Sequence, residues 1–202
     1  MGELRESKKR ETRQRISDVA TELFYARGFE AVTVDEIAAA AKVSKMTVFN
    51  YFARKEELLL DREDDLKLLP LRNAVRERKK GQSPLAAMRA LVEKLRDEKH
   101  PLLHLDSGAV HWWRIIAASP SLQARLRELS DEATELLAAE LGGGASARLF
   151  AGIVVLTVRT ARAEAVRVLE SGGSARKANA EFSRLLELGF DAAGHTGVTT
   201  HR

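Results

Sequence analysis

The sequence predicts an all-α protein with a small N-terminal helix-turn-helix domain followed by a larger helical domain. Apolar residues recur at helical spacing along most of the chain, and no segment shows the alternation that is typical of a strand. Residues 33–57 contain two short segments with helical apolar patterns, joined by a tight turn. In a helix-turn-helix the second helix enters the DNA major groove, so this pattern indicates sequence-specific DNA binding.

Local signals predict where both helices of this motif begin. Thr33 and Glu36 have the spacing of a capping box, so the first helix should start at Val34. Ser44 can cap the second helix through its hydroxyl group. The apolar residues that can bury a small core between the two helices are Ile37, Ala38, Ala41, Val43, Val48 and Phe52.

The outward positions of the second helix carry residue types that bind DNA. Asn50 can pair with adenine, and Lys45 with guanine, whereas Met46 can either contact a thymine methyl group or pack inward. We expect base contacts from Lys45, Met46 and Asn50 and phosphate contacts from Thr33, Thr47, Tyr51 and Lys55, with Ser44 completing the predicted DNA-binding site.

A longer spaced pattern extends from about Lys8 to Leu60. Its residues are Thr12, Arg13, Ile16, Ala20, Leu23, Phe24, Arg27, Gly28, Phe29 and Thr33, followed by Ser44, Lys45, Thr47, Val48, Phe49, Tyr51, Phe52, Lys55, Glu56, Glu57 and Leu58. This pattern resembles the DNA-binding domain of the TetR family of bacterial transcriptional regulators. The resemblance implies a repressor with a palindromic double-stranded operator, and a C-terminal domain that receives a small-molecule effector.

Several positions depart from the family pattern, and three of them bear on a second hypothesis. Lys42 stands in the turn where the family usually has glycine, Met46 replaces a small residue, and Phe49 replaces a common tyrosine. Glycine adopts the left-handed conformation of such turns more readily than lysine does. These departures support an alternative hypothesis, in which the chain is a ligand- or protein-binding module that has lost specific DNA binding.

Start and stop signals divide the rest of the chain into further amphipathic helices. The Ser-Pro pairs at 83–84 and 119–120 are typical of helix starts, and the glycines at 142–144 are typical of a helix end. We therefore expect a DNA-binding domain at 1–54, a helical ligand-binding and dimerisation domain at 55–192, and a disordered tail at 193–202.

The last two predicted helices favour a homodimer. The first half of the segment 145–170 is apolar nearly all round, so it must be covered on more than one side. A second apolar stripe contains Phe182, Leu185, Leu186 and Phe190. The two helices could form half of a four-helix interface, and a dimer would place two recognition helices about 34 Å apart. Alternatively, these stripes serve only the core of one chain.

Candidate effector contacts lie in two parts of the sequence. They are His104, His111, Trp112, Trp113, Phe150, Arg159 and Arg162. Tryptophans are more often core residues than ligand contacts, and either arginine can hold an anionic group or pair with Glu164. The part from about Ser119 also resembles the acyl-CoA-responsive branch of the family, which leaves the identity of the effector open.

Other function classes find little support. The chain has no cysteine, which excludes disulfides, thiolate catalysis and cysteine-based zinc sites. His100, His104 and His111 would suit a metal only on one continuous helix, which Pro101 disfavours. Phosphate-binding and nucleophile-elbow motifs are absent. We expect no enzyme activity, cofactor or metal, and, without a signal peptide or a long apolar span, a cytoplasmic location without membrane contact.

Overall fold

The structure is a computed structural model that describes residues 2–60, 66–100 and 102–198. Within these ranges all regular structure is helical, as the sequence predicts. The helices are α1 (Gly2–Arg27), α2 (Val34–Ala40), α3 (Lys45–Tyr51), α4 (Lys55–Leu59), α5 (Leu69–Arg76), α6 (Pro84–Asp97), α7 (Ser107–Ala118), α8 (Pro120–Glu140), α9 (Gly144–Glu170) and α10 (Ala175–Gly194). In this described part of the chain, no helix has the length and apolar character needed to cross a membrane.

The chain divides into two compact units. The first contains residues 1–63 and 111–125, and the second contains residues 64–110 and 126–202. Helix α4 belongs to the first unit, where it packs on α1 and where Leu58, Leu59 and Leu60 are buried. This division differs from the predicted boundary after residue 54, because the apolar side of α4 completes the N-terminal core.

The first unit is built around a small apolar core. Buried residues include Ile16, Ala20 and Phe24 of α1, Ile37 and Ala38 of α2, Val48 of α3 and Phe52, which follows α3. The rings of Phe24 and Phe29 lie 4.8 Å apart between their centroids. The predicted core between α2 and α3 is therefore present, although Val43 is only half-buried.

Helices α9 and α10 form the most extensive helix pair of the second unit. Their buried residues include Phe150, Val154, Val158 and Ala161 of α9 and Phe182, Leu186, Phe190 and Ala193 of α10. Helix α10 continues to Gly194, past the predicted end of the domain at 192, because Ala193 is fully buried. Of the predicted tail, residues 199–202 lie outside the described residues.

A glycine allows α9 and α10 to approach each other closely. A Cβ atom added at Gly189 would lie 1.9 Å from Oγ1 and 2.6 Å from Cβ of Thr157. Both distances are far below van der Waals contact, so a larger residue would force the helices apart. Gly189 therefore has a packing role that outweighs the low helix propensity of glycine.

We predict that Gly189→Ala lowers the free energy of unfolding by about 1 to 3 kcal/mol, since overpacking exceeds the gain in helix propensity. Gly152→Ala is the matched control, because a Cβ at Gly152 meets no atom within 4 Å. The control should be neutral or stabilise by up to about 1 kcal/mol. Urea unfolding of both variants measures the difference, and equal effects would contradict the packing role of Gly189.

Candidate nucleic-acid interface

A complete capping box starts helix α2. The Glu36 amide donates to Thr33 Oγ1 at 3.2 Å, and the Thr33 amide donates to Glu36 Oε2 at 2.8 Å. Arg27 adds an ion pair to Glu36 at 2.7 Å. The hydrogen bond from the Thr33 backbone, followed by that from Arg27, lowers the pKa of Glu36 to about 2. These contacts confirm the predicted start of α2 and use Thr33 in the cap.

The turn between α2 and α3 forms despite the lysine at position 42. Lys42 adopts a left-handed conformation with φ of 56°. The turn is closed by the amide of Lys42, which donates to Ala39 O at 3.1 Å, and by the amide of Val43, which donates to Ala38 O at 2.9 Å. A left-handed residue other than glycine costs about 1 kcal/mol. The substitution at this position therefore does not prevent the helix-turn-helix geometry.

Helix α3 is fixed at both of its ends. Ser44 Oγ accepts a hydrogen bond from the Thr47 amide at 3.0 Å, so Ser44 is the predicted N-cap. At the other end, Arg13 of α1 donates to Tyr51 O at 2.7 Å, and its guanidinium lies 4.2 Å from the centroid of the Phe52 ring. A helix of seven residues gains little stability alone, so these contacts set its position.

The outward face of α3 carries Met46, Phe49 and Asn50. Met46 is 70% exposed and Phe49 is 41% exposed, and Asn50 is also exposed, whereas Val48 is buried. The predicted base-reading positions 46 and 50 thus lie on the same free face of the helix. Met46 points outward, so it does not pack into the core, and its contact with DNA stays a prediction.

Lys45 has a protein partner beside this face. Its Nζ donates to Asp35 Oδ2 of α2 at 2.7 Å, and both side chains are more than half exposed. An exposed ion pair of this kind contributes about 1 kcal/mol or less, so another acceptor can replace Asp35. The structure therefore leaves the Lys45 ammonium, at the start of α3, able to exchange Asp35 for an acceptor on DNA.

Lys55 lies in a different environment from the one the sequence predicts. Its Nζ donates to Phe29 O at 2.6 Å and lies 4.3 Å from the centroid of the Phe29 ring. Partial burial lowers the pKa of the Lys55 ammonium, against the opposing charge of Glu30 and other glutamates. The ammonium therefore stabilises the loop after α1, and the phosphate contact of Lys55 stays a prediction.

Parts of α7 and α8 belong to the first unit and contact its N-terminal helices. Trp112 Nε1 donates to Leu59 O at 3.2 Å, and the rings of His111 and Tyr25 meet edge to face at 4.5 Å. The Trp112 and Trp113 rings also meet edge to face, with their centroids 4.8 Å apart. All three residues were predicted effector contacts, and in the structure they form aromatic and hydrogen-bonding contacts of the first unit.

A buried serine links the junction between α7 and α8 to the loop after α1. Ser119 is 1% exposed, and its Oγ donates to Glu30 Oε1 at 2.5 Å. The Ser121 hydroxyl donates to the same carboxylate oxygen at 3.4 Å. No sequence signal indicates this link, because the Ser-Pro pair at 119–120 predicts only a helix start and the partner of Ser119 lies 89 positions away.

The remaining predicted effector residues lie in the second unit. Phe150 is buried in the core, Arg159 is exposed and His104 is half-buried. Arg162 donates to Leu102 O at 3.1 Å. A cavity of about 350 Å³ in this unit contains none of the predicted residues, and Arg78, Glu140, Gly142, Ser146 and Val198 are among those that line it. The seven predicted residues are therefore divided between two units.

Comparison with known proteins identifies the class. Residues 16–61 match the bacterial regulatory proteins of the tetR family. The HTH-type transcriptional regulator TcmR of Streptomyces glaucescens is 36% identical over 135 residues, which span 64% of this chain and 58% of TcmR. The putative mycofactocin biosynthesis transcriptional regulator MftR of Mycobacterium tuberculosis is 51% identical over 47 residues, which span 23% of this chain and 24% of MftR.

The fold comparison extends over nearly the whole chain. The solved structure of the SmeT–triclosan complex covers 90% of this chain and 90% of its own, with a TM-score of 0.59 and 19% sequence identity. This likeness shows that the two proteins share a fold. The sequence matches assign residues 16–61 to the TetR family of bacterial regulatory proteins, and the chain as a whole shares the fold of this solved structure.

We predict that Lys55→Met lowers the free energy of unfolding by about 1 to 2 kcal/mol, because Phe29 O keeps only the 3.4 Å hydrogen bond from the Val32 amide and the Phe29 ring loses a nearby cation. Lys8→Met, at an exposed position of α1, is the control and should change stability little. Chemical denaturation distinguishes the two. An unchanged stability in Lys55→Met, with weaker DNA binding, would restore the phosphate role that the sequence predicts.

We also predict that Glu36 gives the protein an acid-sensitive contribution to stability. Because the folded-state pKa of about 2 lies below the ordinary value, this contribution is present above about pH 4.5 and is lost as the pH falls toward 2. Thermal unfolding across this range should show a smaller decline for Glu36→Gln than for the unchanged protein. Parallel declines in the two proteins would contradict the assignment.

Proposed function

We propose that this chain is a sequence-specific DNA-binding transcriptional regulator that acts as a homodimer and represses transcription until a small-molecule effector releases it. The observation that carries the proposal is the arrangement of α3. Its inward side is buried through Val48, its ends are held by Ser44 and Arg13, and its outward face exposes Met46 and Asn50. A rigid helix with a free face is what entry into the major groove requires.

The contacts with DNA follow from this arrangement. Lys45, Met46 and Asn50 are the proposed base contacts, and Thr33, Thr47 and Tyr51 are the proposed phosphate contacts. The N-terminal part of α1 adds exposed cations that can attract the phosphate backbone, namely Lys8, Lys9, Arg10 and Arg15. Lys55 is left out of the proposed site because its ammonium binds within the protein.

Exposed leucines on α9 and α10 support the homodimer. Leu149 and Leu156 of α9 are 57% and 53% exposed, and Leu188 of α10 is 60% exposed. Leu149 and Leu156 are seven positions apart, which places them on one side of α9. A two-fold axis would bring these leucines against the same surface of a second copy and remove them from water. Such a dimer also matches a palindromic operator.

The course of α7 and α8 supports a coupling between effector and DNA. Helix α7 enters the first unit at His111, and α8 leaves it after Arg125, so both helices have residues in each unit. In the first unit, Trp112 and Ser119 bind Leu59 and Glu30. An effector that shifts either helix in the second unit would act on these contacts. It lowers DNA affinity if it binds the shifted conformation more tightly.

Direct binding measurements test the proposal. Duplexes enriched from random DNA should bind the protein roughly a thousandfold more tightly than scrambled duplexes, as measured by fluorescence anisotropy at two salt concentrations. Asn50→Ala should reduce affinity for the enriched duplex by about 1 to 3 kcal/mol and leave the scrambled duplex nearly unaffected. Asn73→Ala, in the second unit, is the matched control and should change neither.

Two results would contradict the proposal. Binding that is equal for all sequences and steeply dependent on salt would show that specific recognition has been lost. Equal losses on both duplexes for Asn50→Ala would remove its role in base recognition. The effector is tested separately, by screening small molecules for release of the protein from the enriched duplex.

A further inference from the structure

We propose that Met46 recognises thymine, through contact between its side chain and the C5 methyl group of one thymine in each half-site, and that Phe49 shields this contact from water. The inference rests on the proposed DNA-binding function and adds the base that the recognition face selects. It makes Met46 a specificity-determining residue. With Asn50 on the same face, it predicts a half-site with A·T pairs at the centre of the α3 contact.

The exposure of Met46 is the first observation behind this inference. At 70%, Met46 is the most exposed of the large apolar side chains in the described part of the chain. Phe49, three positions further on, is 41% exposed. The core of the same unit buries other apolar residues almost completely, including Phe24 and Phe52. An apolar pair left in water beside Asn50 indicates a surface that becomes covered when the face is bound.

The chemistry of the major groove decides what can cover it. The edges of the base pairs present hydrogen-bond donors and acceptors in this groove, and the methyl group of thymine is their apolar feature. A methionine side chain is flexible and unbranched, so it can adjust to the fixed position of a thymine methyl group in the major groove. Thymine is therefore the base that complements Met46.

The spacing of Met46 and Asn50 fits neighbouring base pairs. Four residues of α-helix rise about 6 Å, which is slightly less than two base-pair steps of about 3.4 Å. Asn50 forms its two best hydrogen bonds with adenine. A helix lying along the groove can therefore bring Met46 to a thymine and Asn50 to an adenine within one to two steps.

Lys45 is the residue of α3 that would favour guanine, and Asp35 competes for it. The ammonium of Lys45 is bound to Asp35 Oδ2 at 2.7 Å. Guanine must replace this carboxylate before it gains a hydrogen bond from Lys45, so the net preference for guanine is reduced. Lys45 therefore selects guanine less strongly than an unpaired lysine would, and Met46 and Asn50 add a selection for A·T pairs.

Replacement of thymine by deoxyuridine tests the contact, because it removes the methyl group and retains all hydrogen-bonding atoms. Each thymine of an enriched duplex is replaced in turn, in both half-sites together, and the Kd is measured by anisotropy. At one position the unchanged protein should lose about fourfold per half-site, which corresponds to one buried methyl group of about 0.8 kcal/mol. Met46→Ala should bind the thymine and deoxyuridine duplexes equally, whereas Asn50→Ala should still bind the thymine duplex more tightly.

Each outcome decides between the hypotheses. The inference is overturned if the enriched duplexes lack a common thymine, or if every deoxyuridine duplex affects the unchanged protein and Met46→Ala equally. In either case specific DNA binding would still stand, because enrichment itself demonstrates it. If no sequence is enriched, the proposed function fails and the inference fails with it.

Discussion

Burial of one side of α3 in the core of the first unit is the constraint on which the recognition surface depends. The helix has seven residues and would not be stable alone. Burial of Val48 and Phe52 fixes its rotation, and the cap from Ser44 and the hydrogen bond from Arg13 fix its two ends. Because the inward side is determined in this way, the outward side is determined too. The residues that we assign to DNA are thus preorganised before any DNA is bound.

The helices that follow the first unit also contribute to its structure. Trp112 donates to Leu59 O, and Ser119 donates to the Glu30 carboxylate, although both residues lie on segments whose helices continue into the second unit. The N-terminal helices are therefore held by more than their own core.

Local features of the site were predictable from the sequence, and tertiary ones were not. The capping box of Thr33 and Glu36 and the cap of Ser44 join residues three positions apart, so their spacing alone indicates them. Lys55 binds a carbonyl 26 positions away and Trp112 one 53 positions away, and no sequence pattern encodes such partners. Both residues have chemistry that suits a binding role, and the structure adds that their polar atoms form hydrogen bonds within the first unit.

The central proposal is that two chains bind one duplex, each through its prepositioned α3. Sedimentation velocity of the protein with an enriched duplex measures this directly, through the number of chains bound to each duplex. We predict two chains per duplex for the unchanged protein. Leu188→Glu places a charge on the exposed apolar surface of α10, so this variant should bind as one chain per duplex and with much lower affinity. Full affinity with a single chain per duplex, in the unchanged protein, would contradict it.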